Sequence, residues 1–278
     1  MPAVARLLCA LALLLSACST PQPVRQQPEP LRLAVQPPAS DPLIGRRGLT
    51  AQLIEVERSI RSPFTKPDEL PRLGRRQDML YRWLAGHPDW AERVLAEFPA
   101  DLQPAFNANL KASRELQAMA DGSFGPLPHW QIVTPPGPEQ LLADYREAES
   151  RFHVSWTYLA AINLVETRMG RIRGLSPAGA RGPMQFMPLT WTRYGKGNID
   201  DPHDAILAAG RYLKAAGAPR NMNAALFSYN NSWNYVRAIK AYSSVMALDP
   251  RAYYGYYYWQ VVVPTPSGEL WLPEGSNT

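Results

Sequence analysis

The chain has 278 residues, of which 46% are hydrophobic, and its 8 tryptophans provide ample material for a packed core. Its formal net charge of +5 favours an anionic partner such as nucleic acid, phospholipid or cell-wall polymer. Nucleic acid is the weakest of the three, because the basic residues are scattered and form no run that would follow a phosphate backbone.

The first 17 residues have the layout of a secretory signal peptide. Arg6 precedes an apolar run from Leu7 to Leu15, which is too short to span a membrane. The following stretch, Leu15-Ser16-Ala17-Cys18, resembles a bacterial lipobox, in which the cysteine receives a diacylglyceryl group. An ordinary signal peptide with an incidental cysteine is the alternative.

The lipobox resemblance implies lipidation at Cys18, and the Ser19 that follows implies an outer-membrane lipoprotein that faces the periplasm. The two cysteines of the chain, Cys9 and Cys18, both lie in this segment. The exported domain therefore has no thiol pair for a disulfide or a cysteine metal site. Residues 18–45 are rich in Pro and Gln and predict an extended tether.

Helical spacing of apolar residues begins after Thr50 and continues through a region that we delimit as 46–137, a helical accessory region. Within and beyond it we expect helices at 102–120 and 138–152. Residues 121–137 are rich in Gly and Pro and predict a long connection. The sequence carries no chemistry in this region that we can name.

Strand signals are few, and the best of them lies at 259–263. The predicted fold class is therefore mainly α. We expect one further domain at 138–265 and a C-terminal tail at 266–278.

The segment 154–170 has helical periodicity, and Gly170 is expected to end the helix as a C-cap. Glu166 lies on its mostly apolar face, because the residues three, four and seven positions away are mainly apolar. A carboxyl group in such a place loses hydration, which raises its pKa and suits it to act as a general acid. The alternative is a buried glutamate paired with Arg168, Arg171 or Arg181.

Three motifs carry a family resemblance over about residues 150–263: Val165-Glu166-Thr167, Gly182-Pro183-Met184-Gln185 and Ser228-Tyr229-Asn230. In order and spacing they resemble the Glu-Ser, Gly-Leu-Met-Gln and Ala-Tyr-Asn motifs of lytic transglycosylases with a goose-lysozyme-like domain. Thr167, Pro183 and Ser228 are departures from that pattern. The resemblance implies a lysozyme-like catalytic domain at 138–265 that cleaves peptidoglycan glycan strands.

The resemblance further implies that Glu166 is the single catalytic acid and base. Gln185 and Asn230 would bind the substrate's amide and hydroxyl groups, and Tyr229 would donate to Glu166 or orient an N-acetyl group. We expect a tyrosine from the cluster 253–258 near Glu166, with Tyr256, Tyr257 and Tyr258 as alternatives. The expected substrate-binding residues are Thr167, Met184, Gln185, Phe186, Tyr229, Asn230 and Tyr257, of which Met184 and Phe186 would form an apolar wall.

Glycoside cleavage normally uses two carboxylates, and the sequence places only one here. Asp200, Asp201 and Asp204 are the nearest downstream acids, and Asp201-Pro202 has the pattern of a helix N-cap. The resemblance implies that the substrate's own 2-acetamido and C6 hydroxyl groups replace the second carboxylate, giving 1,6-anhydromuramyl ends. The alternatives are a hydrolytic muramidase, which would need Asp200 or another acid to position a water, and a non-catalytic peptidoglycan-binding lipoprotein.

The four histidines show no metal-ligand spacing, so we assign no metal and no cofactor. The expected partners are peptidoglycan glycan strands and, through the lipid anchor, the outer membrane. Proteins of cell-wall synthesis or division are further candidates.

Overall fold

A computed structural model describes residues 46–119, 127–266 and 268–278. The predicted signal peptide and the whole tether, including Cys18, lie outside these residues. The helices are α1 (Arg46–Arg61), α2 (Leu70–Ala85), α3 (Pro88–Glu97), α4 (Gln103–Gln117), α5 (Pro138–Phe152), α6 (Trp156–Thr167), α7 (Pro188–Tyr194), α8 (Pro202–Ala215), α9 (Met222–Asn230), α10 (Trp233–Leu248) and α11 (Ala252–Tyr257). The prediction of a mainly α chain is confirmed.

The strands form two antiparallel pairs. Strand β1 (Gln131–Ile132) pairs with β2 (Ile172–Arg173), and β3 (Val261–Thr265) pairs with β4 (Gly268–Leu272). Residues that the sequence suggested as a tail therefore contribute a strand. No helix in the described part of the chain is long and apolar enough to cross a membrane.

Helix α6 is the centre of the main core. Nine of its twelve residues are buried, because α5, α8, α10 and α11 all pack around it. A helix enclosed on every side has no need of a polar face, which explains its almost continuous apolar sequence. The end of this buried helix fixes the position of Glu166.

Helices α1 to α4 pack on the same body. Helix α4 shares the main core through Ala105 and Ala112 and lies along α10. Helix α2 approaches α11 at Gly74, where a Cβ would lie only 2.5 Å from the carbonyl oxygen of Gly255. Because only glycine permits this approach, the N-terminal helices are fitted closely to the C-terminal ones.

A buried polar network links the same helices. The Glu57 carboxylate has no exposed surface and accepts hydrogen bonds from Tyr81 Oη at 2.6 Å and Gln77 Nε2 at 3.1 Å. Arg61 forms an ion pair with it. Gln77 in turn accepts from the Trp259 indole at 3.0 Å. Such a network is stable only when each member has its partners, so it fixes α1 and α2 against the C-terminal part of the chain.

Candidate active site

Glu166 lies in the last turn of α6, and its Oε1 accepts a hydrogen bond from Tyr235 Oη at 2.8 Å. Burial raises the pKa of the Glu166 carboxyl group to about 7, and the Tyr235 hydrogen bond opposes this by stabilising the carboxylate. Loss of hydration is the larger effect. The side chain therefore carries a proton through much of the neutral range, as a general acid must.

The arginines that were considered as ion-pair partners of Glu166 have other contacts. Arg171 binds Glu274 at 3.0 Å, Arg181 binds Asp200, and the Arg168 guanidinium lies over the ring of Trp259. Among the described residues, none of these cations pairs with Glu166. Glu166 is therefore not part of a buried structural ion pair with any of these three arginines.

The backbone reverses sharply just after Glu166. Arg168, Met169 and Gly170 all have positive φ, at 52°, 63° and 88°. The expected C-cap at Gly170 is wrong, because α6 ends at Thr167 and Arg168 is the left-handed C-cap. Positive φ at two consecutive non-glycine residues is costly, and such strain is concentrated at functional sites in proteins.

Thr167 joins this reversal to the next motif. Its hydroxyl donates to Pro183 O at 2.6 Å and accepts from the Gly170 amide at 3.0 Å. Asn163 Nδ2 also donates to Pro183 O, at 2.8 Å. The segment 182–185 is therefore held against the end of α6, beside the acid.

The 182–185 segment has an unusual backbone of its own. Gly182 has a φ of 78°, and a Cβ there would lie 2.0 Å from Ile199 O, so no larger residue fits. Gln185 has a φ of 49°, and its Nε2 donates to Gly182 O at 3.0 Å. The partly exposed Gln185 amide keeps its oxygen as an acceptor for a ligand.

The third motif contacts the second through Tyr229. Its hydroxyl donates to Met184 O at 2.7 Å, which corrects the first of the two roles considered for it, donation to Glu166. The Tyr229 ring lies parallel to that of Tyr235, with centroids 6.4 Å apart. Asn230 is exposed at the end of α9, and Asn231, with a φ of 45°, is the left-handed C-cap. Asn230 is thus available to a substrate.

Four of the expected substrate-binding side chains are buried, namely Thr167, Met184, Phe186 and Tyr257. Thr167 and Met184 have no exposed surface, and Phe186 is 3% exposed and packs on the rings of Trp191 and Tyr229. We correct their roles accordingly, since a sugar cannot reach them. The first three support the backbone of the motifs instead of forming an apolar wall. The neighbouring Met187 is 45% exposed.

The expectation of a tyrosine from 253–258 beside Glu166 is wrong. Tyr257 is buried, and its hydroxyl donates to Pro136 O at 3.0 Å. Tyr256 donates to Asn109 instead. The tyrosine in contact with the acid is Tyr235, in the first turn of α10.

Sequence reasoning missed Tyr235, although a signal was present. Tyr235, Ile239, Tyr242 and Met246 form one buried stripe at helical spacing. A tyrosine on such a stripe needs a partner for its hydroxyl group, and Tyr235 begins the stripe only five residues after Asn230.

Asp200, Asp201 and Asp204 have structural partners. Asp200 binds the Arg181 guanidinium, and Asp201 caps α8 by accepting from the Asp204 amide at 3.0 Å, as the sequence predicts. Ligand atoms of Asp201, His203 and Asp204 lie within 4.8 Å of one another. His203 is itself bonded to Glu147 at 3.0 Å, so the cluster is satisfied by protein contacts.

A cavity of about 600 Å³ adjoins the same loops without being lined by Glu166. Gly170, Gly182, Pro183, Trp130 and Asn277 are among the residues that line it. The cavity is therefore a space next to the candidate active site. The chemistry of the site depends on the surroundings of the Glu166 carboxyl group.

Residues 144–247 match the family model of the transglycosylase SLT domain. This range contains Glu166, the 182–185 and 228–230 motifs, and Tyr235. No curated protein and no solved structure matches the chain significantly. The chain thus contains a lysozyme-like transglycosylase SLT domain, which implies a transglycosylase activity on peptidoglycan.

Proposed function

We propose that this protein is a peptidoglycan lytic transglycosylase that cleaves the β-1,4 bond between N-acetylmuramic acid and N-acetylglucosamine and leaves a 1,6-anhydromuramyl end. The observation that carries the proposal is the Glu166 carboxyl group, which has a pKa raised to about 7 and accepts a hydrogen bond from the Tyr235 hydroxyl group. A single acid of this kind can both give and take the proton of the reaction.

In the first step Glu166 gives its proton to the glycosidic oxygen that leaves with N-acetylglucosamine. The bond from that oxygen to C1 of the muramyl residue breaks while the oxygen of its 2-acetamido group bonds to C1. Glu166 becomes a carboxylate, and the hydrogen bond from Tyr235 stabilises the new charge.

In the second step the carboxylate of Glu166 takes the proton of the muramyl C6 hydroxyl group. The C6 oxygen bonds to C1, and the bond from the acetamido oxygen to C1 breaks. The acid is restored with its proton, and no water is consumed. These two steps need no second protein carboxylate. This agrees with the ion pair that Asp200 forms with Arg181.

The remaining polar groups would hold the sugars. We propose that the amide oxygen of Gln185, which has no hydrogen-bond partner in the described part of the chain, and the exposed amide of Asn230 bind acetamido and hydroxyl groups. Tyr229 is a positioning residue, because its hydroxyl group fixes Met184 O and so the backbone that carries Gln185. We assign sugar binding to Gln185 and Asn230 because their amides are accessible, and positioning to Tyr229 because its hydroxyl group is already bonded to Met184 O.

The test is mass spectrometry of the soluble products after the purified protein is incubated with intact peptidoglycan, in parallel with Glu166→Gln. We expect anhydromuramyl products from the wild type and a rate reduced at least about a hundredfold in the variant, since general acid catalysis has at least that value. Reducing-end muramic acid would instead indicate a hydrolytic muramidase. Binding without any product would indicate a cell-wall-binding protein.

We also propose that the protein is an outer-membrane lipoprotein anchored through Cys18, as the lipobox-like stretch indicates. Metabolic labelling with palmitate should mark the wild type and leave Cys18→Ser unlabelled. Label retained by the variant would contradict the anchor.

A further inference from the structure

The groove between α1 and α2 contains three arginines that the activity does not use. It has a volume of about 510 Å³ and lies outside the residues of the SLT match. The residues that line it are Gln52, Glu55, Val56, Arg72, Arg75, Arg76 and Met79.

The arginines of this groove differ from their neighbours in having no acidic partner. On the same two helices Arg58 binds Asp101, Arg61 binds Glu57 and Arg82 binds Asp78 and Glu269. Within residues 46–119, 127–266 and 268–278, by contrast, the guanidiniums of the groove arginines form no ion pair or hydrogen bond.

The spacing of these arginines places like charges on one helix face. Arg72 is three residues before Arg75 and four before Arg76. Like charges at this spacing destabilise a helix. A bound anion would remove that repulsion and satisfy the guanidinium donors, which match carboxylates in bidentate geometry.

The groove also contains acceptors. Gln52 Oε1 is buried and has no hydrogen-bond partner among the described residues. Glu55 lines the same space and adds a carboxylate. A ligand that satisfies the groove must therefore carry several carboxylates and also N–H or ammonium donors. A phosphodiester surface supplies negative charge for the arginines. Its phosphate groups, however, carry no donors for Gln52 and Glu55.

We propose that this groove, defined by Arg72, Arg75, Arg76, Gln52 and Glu55, binds the acidic peptide stems of peptidoglycan. The inference rests on the proposed function, because it takes the peptide-bearing wall polymer as the substrate. A stem peptide carries free carboxylates, backbone amides and an amine, which match the three arginines and the two acceptors. Binding of a stem at the groove holds the strand near the enzyme and raises its effective concentration at the acid.

The direct test is calorimetric titration of the full chain with the peptide L-Ala-γ-D-Glu-meso-diaminopimelate, and with the same peptide after amidation of its carboxyl groups. The test variant is Arg72→Gln, Arg75→Gln, Arg76→Gln. The matched control is Arg93→Gln, Arg114→Gln, Arg220→Gln, which removes the same charge from three exposed arginines elsewhere.

We expect the acidic peptide to bind the wild type and the control alike, and to bind the test variant at least about tenfold more weakly. The amidated peptide should bind weakly to all three proteins. Equal binding by the test variant and the control would overturn the proposal. So would saturation of the groove by inorganic phosphate or by phosphatidylglycerol vesicles, with loss in the test variant, in place of peptide binding.

A second measurement separates this proposal from the proposed function. The half-saturating substrate concentration is measured on peptide-bearing strands and on strands stripped of peptide by an amidase. We expect the wild type to favour peptide-bearing strands and the test variant to lose that preference. If the wild type cleaves both substrates without preference, the groove proposal alone is overturned. If it cleaves neither, the proposed function is overturned, and the titration still tests the groove.

Discussion

At the scale of single residues, two effects of opposite sign act on Glu166. Removal from water raises the pKa of its carboxyl group to about 7, and the hydroxyl group of Tyr235 lowers it by donating to the carboxylate. The pKa is thus held near the pH at which one group can act as acid and then as base. The second effect can be removed by one substitution.

Tyr235→Phe removes the hydrogen bond and leaves the ring. The pKa of Glu166 should rise above its wild-type value, so the fall in rate at high pH should move to higher pH. The maximum rate should decrease roughly tenfold, because the carboxylate formed by proton transfer loses its donor. A pH profile of glycan cleavage measures both effects. Tyr242→Phe, on the same helix, is the control, and an unshifted profile for Tyr235→Phe would contradict the assignment.

The raised pKa of Glu166 also affects stability. The folded state retains this proton between pH 4.5 and about 7, where the unfolded chain has released it. The unfolded state binds fewer protons in that window, so the wild type loses stability as pH rises through it. Glutamine has no charge to bury. Glu166→Gln should therefore stabilise the fold by about 1 kcal/mol at pH 5 and up to about 3 kcal/mol at pH 8.

Denaturant unfolding of both proteins at the two pH values measures this difference, since every other titrating group is shared. A gain that does not grow with pH would mean that the carboxyl group titrates normally. The variant would then be inactive for another reason than loss of a proton donor.

How far the sequence predicts the site depends on the kind of contact. Glu166 was predictable because its position on an apolar helix face follows from local spacing. Tyr235 was missed because its contact joins residues 69 apart in sequence. Thr167 and Met184 were wrongly predicted to bind substrate because both are buried. Burial depends on tertiary packing, which a local sequence pattern does not contain.

At the scale of elements, the site is a junction of three backbone reversals. Positive φ occurs at Arg168 and Met169 after α6, at Gln185 in the second motif and at Asn231 after α9. The hydroxyl groups of Thr167 and Tyr229 connect these segments through Pro183 O and Met184 O. The strained turns are therefore held by hydrogen bonds from one motif to the next.

Thr167→Val tests this connection by replacing the hydroxyl group with a methyl group of similar size. The Gly170 amide loses its acceptor and Pro183 O keeps only Asn163, so we expect a loss of about 1–3 kcal/mol in the free energy of unfolding. Activity should fall further than stability, because the loop that carries Gln185 loses its anchor. Thr167→Ser retains the hydroxyl group and is the control. Equal behaviour of the two variants in unfolding and rate measurements would refute the anchoring role.

Element boundaries were predicted where capping is local. Asp201-Pro202 begins α8 as expected, with Asp201 as the N-cap. The Ser232 hydroxyl caps α10 in the same way by accepting from the Tyr235 amide. Strand β1 was not predicted, because it has two residues and exists only through pairing with β2. Short strands of this kind have no periodicity of their own.

At the scale of the whole molecule, the N-terminal helices have a hydrophobic cluster of their own, and α4 joins it to the core around α6 that contains Tyr235. The sequence suggested an accessory region without a stated role, because amphipathic spacing does not reveal what each apolar face covers. The packing of α4 on α10, which carries Tyr235, gives that region a direct structural connection to the acid.

Gly74→Ala tests whether this connection is cooperative. The added Cβ would lie 2.5 Å from Gly255 O and 2.6 Å from the Cβ of Tyr258, so α2 must move away from α11. Backbone at this distance cannot yield as a flexible side chain would, and overpacking of this kind costs about 1–3 kcal/mol. Gly86→Ala, just past the end of the same helix, is the control, since its nearest atom is 3.7 Å away.

We expect Gly74→Ala to lower the unfolding midpoint in one transition, with glycan cleavage lost at that same midpoint. The reason is that α4 joins the two hydrophobic clusters, with Phe106 and Leu110 in the N-terminal one and Ala105 and Ala112 in the core around α6, so loss of one cluster exposes the face of α4 that the other needs. Two separated transitions, with activity retained after the first, would show instead that the N-terminal helices unfold alone and that Glu166 and Tyr235 remain in place without them.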